Sequence, residues 1–154
     1  MPKPSFKERS LYLIISQEYS PERDPLEIAK LAILGGIDIL QMREKNLSRD
    51  ELVFLGTKLS GLCRDKNITF IINDDPFLVK ETDADGVHVG QEDIAALPIS
   101  EIRKIIGPEK IIGASTHSLE QFVKANAEDV DYLAFGPIFP TQTKSYFIGT
   151  GDLK

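Results

Sequence analysis

Short apolar runs alternate with helix-like stretches along the chain, one pair every 20–25 residues or roughly so, and few folds satisfy that pattern. LYLIIS (11–16), DILQMR (38–43), TFIIND (69–74), DGVHVG (85–90), KIIGAS (110–115) and YLAFGP (132–137) read as strands. PLEIAKLAILGG (25–36) reads as a helix, with Asp24 as its cap, Pro25 in its first turn and Gly35 and Gly36 as its stop. Ser48 opens a second helix that runs to about Arg64, and Glu51, three residues on, completes a capping box. Residues 76–82 and 99–107 read as further helices, and Ser118 opens SLEQFVKANA. The strands are apolar throughout rather than alternating, as expected of a parallel sheet covered on both faces.

Such repeated β-α units build either a doubly wound sheet or a (β/α)₈ barrel. The barrel ordinarily takes about 200 residues or more, and this chain of 154 residues supplies six units. No low-complexity segment or linker divides it, so the expectation is one domain over 1–154. The formal net charge of −6 argues against a broad nucleic-acid surface but leaves room for a local basic pocket. Cys63 is the only cysteine, which excludes an intrachain disulfide and a thiolate metal cluster. MPKPSFKERS at the start has no apolar signal stretch, and no run approaches the ~18 apolar residues of a membrane span. The expectation is a cytoplasmic protein that binds neither membrane nor nucleic acid.

Residues with chemistry collect at the C-terminal ends of the strands, where α/β enzymes place their sites. In QMREK, Gln41, Arg43 and Lys45 have period 2, so an extended backbone puts all three on one face. Two cations and an amide there suit a polyphosphate clamp, although a solvated strand end is the plainer alternative. Asn73 and Asp74 end the third strand, while Glu92 and Asp93 fall in the loop after the fourth. Asp74 and Asp93 then occupy neighbouring strand ends and suit a magnesium ion bridged to diphosphate; helix capping is the alternative for each carboxylate. Ser115 ends the fifth strand, but no nucleophile-elbow pattern surrounds it. His88, between two valines, reads more naturally as a hydrogen-bonded core residue, and His117 as a turn residue or an acid/base. Asp38, Asp85 and Asp131 each precede a strand and read as structural residues of the opposite rim.

The segments QMREK, IINDD, DGVHVGQED, IIGASTH and DYLAFGPIFPTQTK together resemble thiamine phosphate synthase and, more broadly, its superfamily with the thiazole tautomerase TenI. They occur in the family's order and span nearly the whole chain. The resemblance implies a (β/α)₈ barrel that joins aminopyrimidine methyl diphosphate to thiazole phosphate and releases pyrophosphate. It implies that Gln41, Arg43, Lys45 and Asn73 contact the pyrimidine diphosphate and that Asp74 and Asp93 hold Mg²⁺. Ser115 and Lys144 would complete the diphosphate site, and Thr141 and Thr143 would receive the thiazole phosphate. A TenI-like tautomerase, in which His117 gains weight, and an inactive ligand-binding homologue are the alternatives. Asp75 stands where the family usually has arginine. With six of eight units supplied, LYLIIS and YLAFGP are expected to be sheet edges. Self-association or a complementing chain would then follow, and weak activity of this chain alone.

Overall fold

A computed structural model describes residues 8–139, so Thr141, Thr143 and Lys144 lie outside the described residues. Six strands form one parallel sheet in the order β1-β2-β3-β4-β5-β6. They are β1 Tyr12–Ile15, β2 Ile39–Met42, β3 Thr69–Asn73, β4 Gly86–Val89, β5 Ile111–Thr116 and β6 Tyr132–Phe135. The helices are α1 Pro25–Leu34, α2 Arg49–Arg64, α3 Pro76–Thr82, α4 Gln91–Ala96, α5 Ile99–Ile106 and α6 Leu119–Asn126. The architecture is α/β of the (β/α)₈-barrel type, represented by six β-α units.

The helix starts are encoded locally. Asp24 accepts from the Leu26 N–H at 3.0 Å, and Ser48 and Glu51 form the expected capping box. Ser118 accepts from the Gln121 N–H at 3.2 Å. The expected loop at Glu92 and Asp93 is instead the first turn of α4. Asp93 reaches back to the Gly90 N–H (2.7 Å) while Ile94 N–H donates to the Gly90 carbonyl (3.1 Å), which closes a turn that propensity alone does not announce. A 3₁₀ turn at Gln17–Tyr19 after β1 is likewise absent from the sequence pattern.

Three aspartates tie the strands at the far rim. Leu11 N–H donates to Asp38, Phe70 N–H to Asp85 and Ile112 N–H to Asp131, each at 2.8 Å. Each carboxylate thus serves the strand that its own strand joins, and the structural reading of all three holds. Arg103 of α5 braces the last of them, 3.0 Å from Asp131 and 2.8 Å from Asp129.

One side of the sheet packs on the helices through Leu40, Met42, Phe70, Ile72, Val87, Val89, Ile112 and Ala114. The alternate residues form a second, smaller layer: Ile39, Ile71 and Ile111, joined by Tyr12 and Tyr132. Strands β2, β3 and β5 are buried on both sides over most of their length, which is why their runs are largely apolar, whereas Ile14 of β1 is 53% exposed. The tyrosines measure the curl of the sheet. Five strand spacings of about 4.8 Å would hold β1 and β6 roughly 24 Å apart if the sheet were flat. The Tyr12 and Tyr132 hydroxyls are instead 2.9 Å apart, so the sheet bends through half a barrel and the two rings meet across its interior.

Candidate active site

Period 2 in each strand selects what the concave face presents beyond the isoleucine layer. The register pairs Asn73 with His88, His88 with Gly113, and Ser115 with Ala134. A cavity of about 390 Å³ results, lined by Tyr12, Ile14, Gln41, Arg43, Asn73, His88, Ser115, Tyr132 and Ala134. Four expected site residues, Gln41, Arg43, Asn73 and Ser115, therefore share one cavity. Gln41 is 2% exposed, and its Nε2 is buried with no hydrogen-bond partner. An unsatisfied buried donor is costly in a folded chain, and this one belongs to a residue that lines the cavity.

Lys45 lies elsewhere. Strand β2 ends at Met42, so the one-face argument for Gln41, Arg43 and Lys45 runs out before the lysine. Lys45 lines an adjoining pocket with Glu44, Asn73, Asp74 and Asp75. The two pockets share Asn73. Arg43 keeps a 4.0 Å contact with Glu18 of the 3₁₀ turn. Glu44 accepts from the Gln17 N–H at 2.8 Å, and burial raises its pKa.

The carboxylates part company once their contacts are known. Asp75 is a cap: it accepts from Phe77 N–H (2.8 Å) and Leu78 N–H (3.1 Å), and its other oxygen pairs with Arg49 of α2. Asp74 caps nothing. Its backbone is left-handed (φ 66), its N–H donates to the His88 carbonyl at 2.8 Å, and its carboxyl is hydrogen-bonded to that of Asp93. Asp93 does both, bracing Gly90 and meeting Asp74. Burial, followed by the charge and hydrogen bond of Asp93, pushes the Asp74 pKa up to about 6, against the pull of Lys45 and Arg43. Among the described residues no cluster of three or more His, Cys, Asp or Glu could hold a metal. Two abutting carboxylates that repel one another nonetheless fit Mg²⁺, which typically takes one or two carboxylates and completes its shell with phosphate and water.

A pH dependence follows from Asp74. Its pKa is higher in the folded chain than the 3.8 of a free aspartate, so the folded state holds the proton more tightly than the unfolded one. The stabilisation is fully present below the unfolded value and is lost as pH rises through about 6. With EDTA present, the urea midpoint is expected to fall between about pH 4 and about pH 7, and Asp74→Asn is expected to flatten that fall. Equal slopes in both chains would contradict the assignment.

Tyr12, Tyr132 and Gln91 had no role assigned from sequence, whereas His88 is the hydrogen-bonded strand residue that was expected. Tyr132 Oη lies 2.8 Å from His88 Nδ1, and His88 Nε2 lies 2.8 Å from Ser115 Oγ. Tyr12 and Tyr132 were hidden inside apolar strand runs, and only the period of 2 could have placed them in the cavity. Gln91 of α4 donates to the Ser115 carbonyl at 2.6 Å, which fixes the end of β5. His117 stands outside the cavity lining, with Nδ1 2.6 Å from the Gly136 carbonyl and its N–H donating to Gln121. It joins the end of β5 to the segment after β6. Among the described residues no helix is long and apolar enough to cross a membrane.

The thiamine monophosphate synthase family profile matches residues 11–150. A thiamine-phosphate synthase of Shouchella clausii is 45% identical over 88% of this chain and 63% of its own length. One from Halalkalibacterium halodurans is 42% identical over 87% and 62%. One from Desulfitobacterium hafniense is 42% identical over 94% and 70%. A solved thiamine phosphate pyrophosphorylase from Pyrococcus furiosus superposes with a TM-score of 0.79 at 35% identity, covering 94% of this chain and 67% of that one. An HpcH/HpaI aldolase from Desulfitobacterium hafniense, at TM-score 0.53 and 13% identity, shares the fold alone. The chain spans little more than three fifths of the length of the first two relatives.

Proposed function

The chain belongs to the thiamine monophosphate synthase family, and from that premise we propose that it binds 4-amino-2-methyl-5-pyrimidinylmethyl diphosphate and joins it to thiazole phosphate, releasing pyrophosphate. The observation that carries this reading is the Asp74–Asp93 pair, with the charges of Lys45 and Arg43 acting on Asp74 and with Asp74 lining the pocket that adjoins the cavity. Acids and bases so grouped suit a diphosphate with its cation better than they suit proton abstraction from a thiazole, which needs neither.

The cavity takes the pyrimidine. Tyr12 and Tyr132 supply aromatic walls, and the buried Gln41 amide offers its unpartnered donor to a ring acceptor. Asn73 lines both the cavity and the adjoining pocket of Asp74 and Asp75. Asp74 and Asp93 would hold Mg²⁺, which when bound offsets negative charge on the diphosphate. Arg43 and Lys45 add positive charge to the same group, and Ser115 offers a hydroxyl. The C–O bond to diphosphate breaks with its electron pair leaving on oxygen. The benzylic-type cation that remains is attacked by the thiazole nitrogen, which forms the new C–N bond. No protein nucleophile takes part. Thr141, Thr143 and Lys144 belong to the proposal as thiazole phosphate and diphosphate contacts. So do a cytoplasmic setting and association through β1 and β6, each paired on one side only among the described residues.

Calorimetry of the full chain with the pyrimidine diphosphate, with Mg²⁺ and again with EDTA, tests the reading. Binding at least about tenfold tighter with Mg²⁺, and pyrophosphate release only when thiazole phosphate is added, is the expected result. Binding in neither condition overturns it.

A further inference from the structure

Helix α4 carries Asp93, yet little apolar burial holds it in place. It is six residues long, and none of its residues is buried. Ile94 and Leu97, the residue that caps its end, are only partly buried against the core. A helix this short is not stable by itself, so side-chain ties decide where it sits. One tie is internal: Asp93 accepts the Gly90 N–H at 2.7 Å. The other leaves the helix: the Gln91 side-chain amide donates to the Ser115 carbonyl of β5 at 2.6 Å.

The sheet explains why a side-chain donor is needed there. In a parallel ladder, alternate residues of a strand bond to opposite neighbours. Ile111 N–H donates to the Asp85 carbonyl on the β4 side (2.9 Å). The Ile112 and Thr116 carbonyls accept instead from Asp131 (2.7 Å) and Gly136 (3.1 Å) on the β6 side. Odd-numbered residues of β5 therefore face β4, and Ser115 is the last of them. Val89 ends β4 and pairs with Ala114. Had β4 run on by two residues, the Gln91 N–H would have met the Ser115 carbonyl. The chain turns at Gly90 instead, and the Gln91 N–H belongs to the first turn of α4. The Gln91 side chain, which has two N–H donors, supplies the missing bond.

We propose that Gln91 is a positioning residue: by completing the ladder with its side chain it holds the first turn of α4 against the end of β5 and so keeps Asp93 in reach of Asp74. Asp93 lies two residues on within the same turn, so a tilt of that turn about Gly90 carries its carboxylate away from the contact with Asp74. Ser115 lies at the other end of the tie, so one amide joins the element that bears a carboxylate of the site to the strand that bears its hydroxyl. The functional consequence rests on the diphosphate reading of the site. Gln91 acts there through Asp93 and not by touching the cation or the diphosphate.

Gln91→Met keeps the length of the side chain and removes the donor, and Gln91→Asn keeps the amide but is one methylene too short. In both, Mg²⁺-dependent affinity for inorganic pyrophosphate, measured by calorimetry of the full chain, is expected to fall about tenfold, the scale of one hydrogen bond. Affinity in EDTA is expected to change little. In an Asp93→Asn background Gln91→Met is expected to cause no further loss, because the carboxylate that Gln91 positions is gone. Unchanged Mg²⁺-dependent affinity in both single variants, or the same tenfold loss in the Asp93→Asn background, overturns the proposal. Amide hydrogen exchange gives a readout without ligand. The Gly90 and Ile94 N–H groups, which close the first turn of α4, are expected to exchange at least about tenfold faster in Gln91→Met, with Gly113 in β5 unchanged. Equal exchange at Gly90 and Ile94 in the two chains overturns the proposal. Absence of pyrophosphate binding in the unmutated chain would instead overturn the diphosphate reading, and exchange would still decide whether Gln91 holds α4.

Discussion

Asp74→Asn and Asp93→Asn are each expected to lower Mg²⁺-dependent pyrophosphate affinity by about 100-fold or more, while affinity in EDTA changes little. The size is taken from broken buried charge pairs, where loss of one partner costs about 3–5 kcal/mol, and about 1.4 kcal/mol is tenfold in affinity. Asparagine is the informative replacement at both positions. At Asp74 the backbone is left-handed, a region that asparagine tolerates and alanine does not. At Asp93 an amide oxygen can still accept the Gly90 N–H, so α4 keeps its first turn. Asp75 is the control. It caps α3 and pairs with Arg49, so Asp75→Ala is expected to cost about 1 kcal/mol of stability and leave the Mg²⁺ dependence in place. Calorimetry of the three chains checks the separation. A Mg²⁺ dependence lost in Asp75→Ala and kept in Asp74→Asn would reverse the assignment of the carboxylates.

That assignment also shows where sequence reasoning stops. Six strands and five of the six helices were legible because periodicity, caps and glycine stops agree along the chain, as at Asp24–Pro25 and Ser48–Glu51. Helix α4 was not, because six residues carry too short a pattern and its first turn is held by a side chain reaching back to a glycine. The meeting of Gln41, Asn73 and Ser115 followed from their place at strand ends. Which of three neighbouring aspartates caps a helix and which faces another carboxylate depends on backbone angles and partners several elements away, and no spacing encodes it. The same holds for Tyr12 and Tyr132. One hundred and twenty residues separate them, and only the curl of the sheet brings them together.

The place of the Tyr132 ring depends on a side chain that is missing. Gly113 of β5 stands beside Tyr132 of β6 in register. A Cβ built on it would lie against the Tyr132 ring at Cζ, Cε1 and Oη, well inside van der Waals contact. The ring can cross the concave face towards His88 and Tyr12 only because residue 113 has no side chain. Gly113→Ala is therefore expected to destabilise the chain by about 1–3 kcal/mol, the usual cost of overpacking. It is also expected to drive the phenol away from Tyr12 and His88. A double-variant cycle distinguishes this from a change in strand propensity, because alanine is an ordinary strand residue with no penalty of that size. Urea unfolding of Gly113→Ala, Tyr132→Ala, the pair and the unmutated chain supplies the cycle. The added methyl is expected to cost much less once the ring is gone, a coupling of about 1 kcal/mol or more. Strictly additive losses would mean that the glycine serves the strand and not the ring. The position of the Tyr132 ring would then have to depend on another contact. If the coupling is found, one glycine in the fifth strand sets the position of a tyrosine in the sixth, and with it the contacts that this phenol makes to Tyr12 and His88.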